Sequence, residues 1–241
     1  MPLEPLDFLN GILNLIFILV SIFLGFIIIG KYFKNKNFNF ILTGVTWVLL
    51  VSGWYGTTAS FLAALLTNGD GLSFESIMLL NFIPLPFALI SWMTAFTNFL
   101  YKEKQKLILI GCGVLIGSFY SIFLFYLFTD PIVIGEKISP VDTKGNSPIL
   151  AGFVIILLLI MLISGVKFAL ETMKYDDKET KTKGKLLLLA FPSFCIGGFL
   201  DALIPSTAIT LVIFRVILIS SAVEFYGGFI LPNWMKKLLI Q

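Results

Sequence analysis

The sequence predicts an all-α polytopic membrane protein, a seven-transmembrane helix bundle with its N-terminus outside and its C-terminus in the cytoplasm. Three observations carry this. Hydrophobic residues fill 58% of the 241 positions and charged residues only 13%, against roughly half and a quarter in a soluble domain. Seven apolar runs each reach the about 20 residues a helix needs to cross the hydrocarbon core. Lysines crowd alternate connectors between those runs, the pattern that sets membrane orientation.

The runs lie near 8–30, 41–66, 76–100, 107–129, 148–170, 185–206 and 208–231. The whole of 1–241 reads as one transmembrane domain, since the connectors leave no room for a soluble one. The first run follows "MPLEPLDFLN", which carries Glu4 and Asp7 and no basic residue. A signal peptide needs a positive n-region and a small-residue cleavage site, so this run is expected to remain as span 1. Lys31, Lys34 and Lys36 follow it. Lys102, Lys104 and Lys106 follow span 3, six lysines from Lys167 to Lys185 surround the connector after span 5, and Lys236 and Lys237 follow span 7. The other side has only Lys137 and Lys144 among seven acidic residues. The lysine-rich side is therefore cytoplasmic, with Trp234 an anchor at its headgroup level. On the outer side, residues 130–147 form the longest connector. It reads as a plain surface loop, with a lid over an outward pocket as the alternative.

Span 2 carries "SGWYGTTAS" and span 3 carries "NFIPLPF". Pro84 and Pro86 each remove a helical donor, so a kink is expected there. Pro192 predicts a second kink in span 6. "GVLIG", residues 113–117, and Gly197-Gly198 predict close helix packing.

Ionised groups at bilayer depth are costly and normally face a partner inside the bundle. Asp201 in span 6 and Arg215 and Glu224 in span 7 qualify. Arg215 is the one arginine in the chain. It stands nine residues from Glu224, about 13 Å along one helix and on roughly the opposite face, so those two do not pair. Asp201 stands about four residues before the outer turn and Arg215 about eight after it, an offset on the order of 6 Å that an extended arginine covers. An interhelical Asp201–Arg215 ion pair is expected, the guanidinium fork gripping the carboxylate through two hydrogen bonds. The pair either pins span 6 to span 7 or leaves Arg215 able to bind an anionic ligand. With Asn81, Trp54, Tyr55, Thr57, Thr58 and Ser60 it is expected to line an outward cavity between spans 2, 3, 6 and 7. A separate inner-half polar site would comprise Glu224, Ser220, Ser221 and Lys167, with a structural or proton-relay role.

Absent residues narrow the chemistry. There is no histidine, which removes imidazole bases and histidine-held metals or haem. Cys112 and Cys195 sit in apolar runs and read as packing residues. Span 7 has no central lysine, so no retinal Schiff base forms. The prolines of spans 1–3 and 5–7 do not match as the parallel repeats of SWEET sugar transporters would require. No Gly-x-Gly-Asp of aspartyl membrane proteases and no phosphate-binding glycine loop occurs. No enzymatic activity, cofactor, metal or nucleic-acid partner is expected.

The outer-half arginine followed by "YGGFILPNWMKKLL", residues 226–239, resembles the last helix of the seven-helix sensor regions at the N-termini of prokaryotic histidine kinases and their stand-alone archaeal relatives. "GGFLDALIP", residues 197–205, fits the same likeness, which covers spans 6 and 7. It implies a sensor in the cell membrane that binds a small ligand. Because the sequence ends at Gln241, signal transduction is expected to pass to a separate cytoplasmic or membrane partner. The alternatives are a small-solute or proton-coupled transporter and a structural subunit. Abundant Lys, Ile, Phe and Asn beside one Arg suggest an AT-rich, prokaryotic source.

Overall fold

The computed structural model describes residues 3–67 and 69–240, so Met1, Pro2 and Gln241, at the ends of the expected 1–241 domain, and Asn68 lie outside it. Among the described residues, seven helical stretches are long and apolar enough to cross a membrane: Pro5–Asn35, Asn39–Leu66, Phe74–Leu100, Lys102–Thr129, Pro148–Met173, Lys178–Leu203 and Ala208–Ile230. The chain is a multi-pass, all-α membrane bundle.

Local signals set the helix ends. Helix α1 (Pro5–Asn35) starts on a proline, whose missing donor costs nothing at that position. The Glu4 N–H donates to Asp7 Oδ2 at 3.0 Å. The helix ends where Lys36 turns left-handed, at φ 53°. These caps carry it several residues past the apolar run 8–30.

Span 2 is not one helix. It divides into α2 (Asn39–Leu50) and α3 (Tyr55–Leu66), joined by a 3-10 turn over Val51–Trp54. Span 3 divides at its prolines into α4 (Phe74–Phe82) and α5 (Leu85–Leu100). The second break was expected from Pro84 and Pro86, the first was not. The two are stitched together. Ser52 Oγ donates to the Asn81 carbonyl at 3.0 Å, and the Gly56 N–H donates to Asn81 Oδ1 at 2.6 Å. Gly56 is required there, because a Cβ would stand 2.3 Å from the Ile77 carbonyl oxygen.

The remaining spans are α6 (Gln105–Thr129), α7 (Pro148–Met173), α8 (Lys178–Leu203) and α9 (Ala208–Ile230). Side-chain caps at Ser147, Asp177 and Thr207 start the last three. Helix α8 runs unbroken through Pro192. After Leu231, at φ 45°, a short α10 (Asn233–Leu239) follows Pro232 and carries the exposed Trp234 at the lysine-rich end.

Spans 1, 2, 3, 5, 6 and 7 close into a ring: α1 packs on α2 and α9, α2 on α5, α5 on α7, α7 on α8 and α8 on α9. Span 4 stands outside it, against α5 and α7, with Phe119 stacked on Phe153 at 3.8 Å. Gly113 and Gly117 on that span meet no neighbour. The close packing expected of "GVLIG" does not occur, because α6 turns this face away from the ring. Gly197 does pack closely, against Leu218.

The ring is filled unequally. Toward the lysine-rich end aromatic rings occupy it. Trp47 stacks on Phe225 at 4.4 Å, and Trp92 packs on Phe191 while donating to Ser164 Oγ at 2.7 Å. Toward the other end the ring holds a polar cavity.

The outer connector 130–147 is not a plain loop. It folds into an antiparallel hairpin, β1 (Gly135–Lys137) and β2 (Thr143–Gly145), with Glu136 opposite Lys144. Val141 and Ile134 are buried beneath it. Ser60 Oγ on α3 donates to the Pro140 carbonyl and accepts from the Leu72 N–H, pinning the hairpin tip. Lys137 Nζ reaches the Asp70 and Leu72 carbonyls at 2.7 Å each.

Candidate functional site

Arg215 is the centre of the outer half. It points into the ring from α9 and is only 2% exposed. Its Nη1 lies 2.7 Å from Asp201 Oδ1 on α8. The ion pair expected from helix arithmetic is therefore formed, but not as a fork. Trp54 Nε1 donates to the second oxygen, Asp201 Oδ2, at 2.7 Å. The indole also lies beside the guanidinium, with Arg215 Cζ 5.7 Å from the ring. The 3-10 turn in span 2 puts Trp54 there. The carboxylate thus holds two donors from two spans instead of two from one arginine.

Arg215 Nη2 reaches Asn10 Oδ1 on α1 at 3.4 Å, and the same oxygen accepts from Asn14 Nδ2 at 3.0 Å. These contacts leave donors over. Arg215 Nε has no hydrogen-bond partner among the described residues, and Nη1 meets its carboxylate without hydrogen-bond alignment. Asn14 Oδ1, on a fully buried residue, is an acceptor without a partner among the described residues. Such groups carry a desolvation cost of about 1–3 kcal/mol each when nothing meets them.

These residues border a cavity of about 430 Å³. Its wall includes Asn10, Asn14, Trp54, Thr57, Asn81, Asp201 and Arg215, with Leu85, Leu157 and Phe194 as an apolar side. Asp142 and Thr143 of the hairpin also line it. The cavity therefore draws on spans 1 and 5 and the hairpin as well as the expected 2, 3, 6 and 7. An outer vestibule of about 700 Å³ shares Asn10, Asp142 and Asp201 with it and adds Glu4, Asp7 and Lys144. The Asp142 carboxyl accepts its neighbouring Thr143 N–H at 2.9 Å. Burial is the main cause that raises its pKa above the usual carboxylate value. Asp201 and Asp7 push the same way, while the Thr143 N–H and Arg215 oppose.

Tyr55, Thr58 and Ser60, also expected in the wall, lie elsewhere, Ser60 under the hairpin tip. The Tyr55 hydroxyl donates to the Val48 carbonyl, bracing the span 2 break from behind. Thr58 is buried, its hydroxyl has no partner among the described residues, and it lies outside the cavity wall. Asn81 borders the cavity through its position, while its side-chain oxygen is committed to Gly56.

The inner-half site is smaller than expected. Ser220 Oγ donates to Glu224 Oε1 at 2.8 Å, and Glu224 Oε2 is buried without a partner among the described residues. Ser221 instead bonds the Leu218 carbonyl at 2.7 Å, because a hydroxyl on a buried helix face is most cheaply satisfied by its own backbone. Lys167 does not reach Glu224. Its ammonium lies 4.8 Å from the Tyr101 ring, the stem extended toward the lysine-rich surface.

Asn10, Asn14 and Asp142 were missed from the sequence. Two asparagines four apart inside an apolar run share one helix face, and that signal was readable. Asp142 had none, since nothing local says where a loop residue will lie. No protein-family model matches the chain, and no curated protein matches it.

Proposed function

We propose that this protein is a sensor of the cell membrane that binds a small ligand in its outer cavity and signals through a cytoplasmic or membrane partner. The observation that carries this reading is the unsatisfied Arg215. A 2% exposed guanidinium with a free Nε borders a cavity under a pinned hairpin. Buried donors without partners are rare in folded proteins, and a bound ligand is one way to satisfy them. The ligand would touch both Asp201 on α8 and Arg215 on α9, and α9 continues past the Trp47–Phe225 stack to the lysine-rich end. The likeness of spans 6 and 7 to prokaryotic kinase sensor regions agrees with that route.

One observation favours a second reading. Two broken spans border the cavity, at Val51–Trp54 and at Pro84, and discontinuous helices at mid-membrane are a common feature of small-solute transporters. Counterflow in proteoliposomes separates the two. With a compound shown to bind, the sensor reading expects no accumulation and a stoichiometric partner whose capture depends on that compound. Accumulation against an outward gradient would replace it with transport.

A further inference from the structure

We infer that the cavity accepts a small organic cation, an ammonium group beside a carbonyl-type acceptor, and not the anion that a lone arginine suggests. This rests on the reading that the cavity holds a ligand.

The argument is one of charge and of orphaned groups. Arg215 is already neutralised by Asp201 at 2.7 Å. The remaining charged residue in the cavity wall is Asp142, and no cation lies within ion-pair distance of it among the described residues. The pair and Asp142 together leave the cavity wall one negative charge in excess. A carboxylate ligand would meet a neutralised arginine and a second carboxylate. An ammonium would meet Asp142, with the unpartnered Asn14 Oδ1, on another lining residue, buried just behind the wall as a second acceptor. Arg215 Nε, an unpartnered donor, then calls for an acceptor on the same ligand. Leu85, Leu157 and Phe194 offer a face for an apolar side chain. The route inward agrees, because Glu4 and Asp7 outnumber Lys144 where the vestibule adds charges of its own. Burial first, then Asp201 and Asp7, raise the Asp142 pKa, so a cation brought beside it would offset the cost of its charge.

Three probes of similar shape test this on the full chain in lipid nanodiscs, read by melting temperature against concentration. Leucinamide carries the ammonium and the carbonyl, isocaproamide keeps the carbonyl without charge, and N-acetylleucine is an anion. Leucinamide is expected to stabilise with a saturating dose dependence, and Asp142→Asn to weaken it at least about tenfold. Equal stabilisation by isocaproamide, stronger stabilisation by N-acetylleucine, or an unchanged leucinamide response in Asp142→Asn would each overturn the cation inference while leaving a ligand-binding cavity. If none of the three shifts the melting temperature up to its solubility limit, the cavity reading falls with it.

Discussion

Asp201 Oδ1 stands 2.7 Å from Arg215 Nη1, while Trp54 occupies the other oxygen of the same carboxylate. One acidic group therefore ties spans 2, 6 and 7 together in the outer half. The side chains of the ion pair are 15% and 3% exposed, so neither charge can turn to water when its partner is removed. Breaking such a pair costs about 3–5 kcal/mol, most of it the stranded charge. Asp201→Ala and Arg215→Ala are each expected to lose about that much. The charge exchange Asp201→Arg with Arg215→Asp is expected to recover part of it in a detergent unfolding assay. A double variant no better than either single one would show that pairing is not what stabilises the site.

The two glycine environments predict opposite outcomes for the same substitution. Gly56→Ala puts a Cβ against the Ile77 carbonyl, which is backbone and cannot swing away. A loss of about 1–3 kcal/mol is expected. Gly117→Ala meets open space and removes a helix-disfavouring residue, worth up to about 1 kcal/mol in the other direction. Melting temperatures of both variants check this, and a destabilised Gly117→Ala would mean that span 4 packs on something further.

Stability near the hairpin should respond to pH through Asp142. Its carboxyl titrates above its unfolded value, so the folded chain binds the proton more tightly. The stability this contributes is complete below the unfolded value of about 4 and is lost as pH rises through the folded value. Asp142→Asn is thus expected to melt higher than the parent at neutral pH, with the gap closing on acidification. Parallel curves across that range would assign Asp142 no such role.

Ser60 is the outer latch. Ser60→Ala removes both the bond to the Pro140 carbonyl and the acceptor of the Leu72 N–H. A buried group left unmatched costs about 1–3 kcal/mol, and here that cost falls on hairpin closure. Faster hydrogen exchange across residues 135–145, with the inner-half aromatic core unchanged, is the expected result. Uniform acceleration throughout the chain would point to global destabilisation instead.

Much of this architecture was legible residue by residue. Seven spans follow from apolar run length, since a chain in lipid must satisfy its backbone within each helix, and the break in span 3 follows from the donors that Pro84 and Pro86 lack. The Asp201–Arg215 pair was legible too, because two helices joined by a tight turn place residues at matching depths. The break at Ser52-Gly53 was not, as two small residues also fit an intact packed helix. Nor was the separation of Lys167 from Glu224, which depends on how α7 is rotated.

Composition, run length and lysine spacing thus decide that the chain crosses a membrane seven times and which residues share a depth. Tertiary packing alone decides that span 4 leaves the ring and that Asn10 and Asn14 face Arg215. It also brings Asp142 over the cavity, through a hairpin held by Ser60 from 80 residues away. Depth is a local property of a helix in lipid. Facing and closure depend on contacts between distant segments, which no single run of residues encodes.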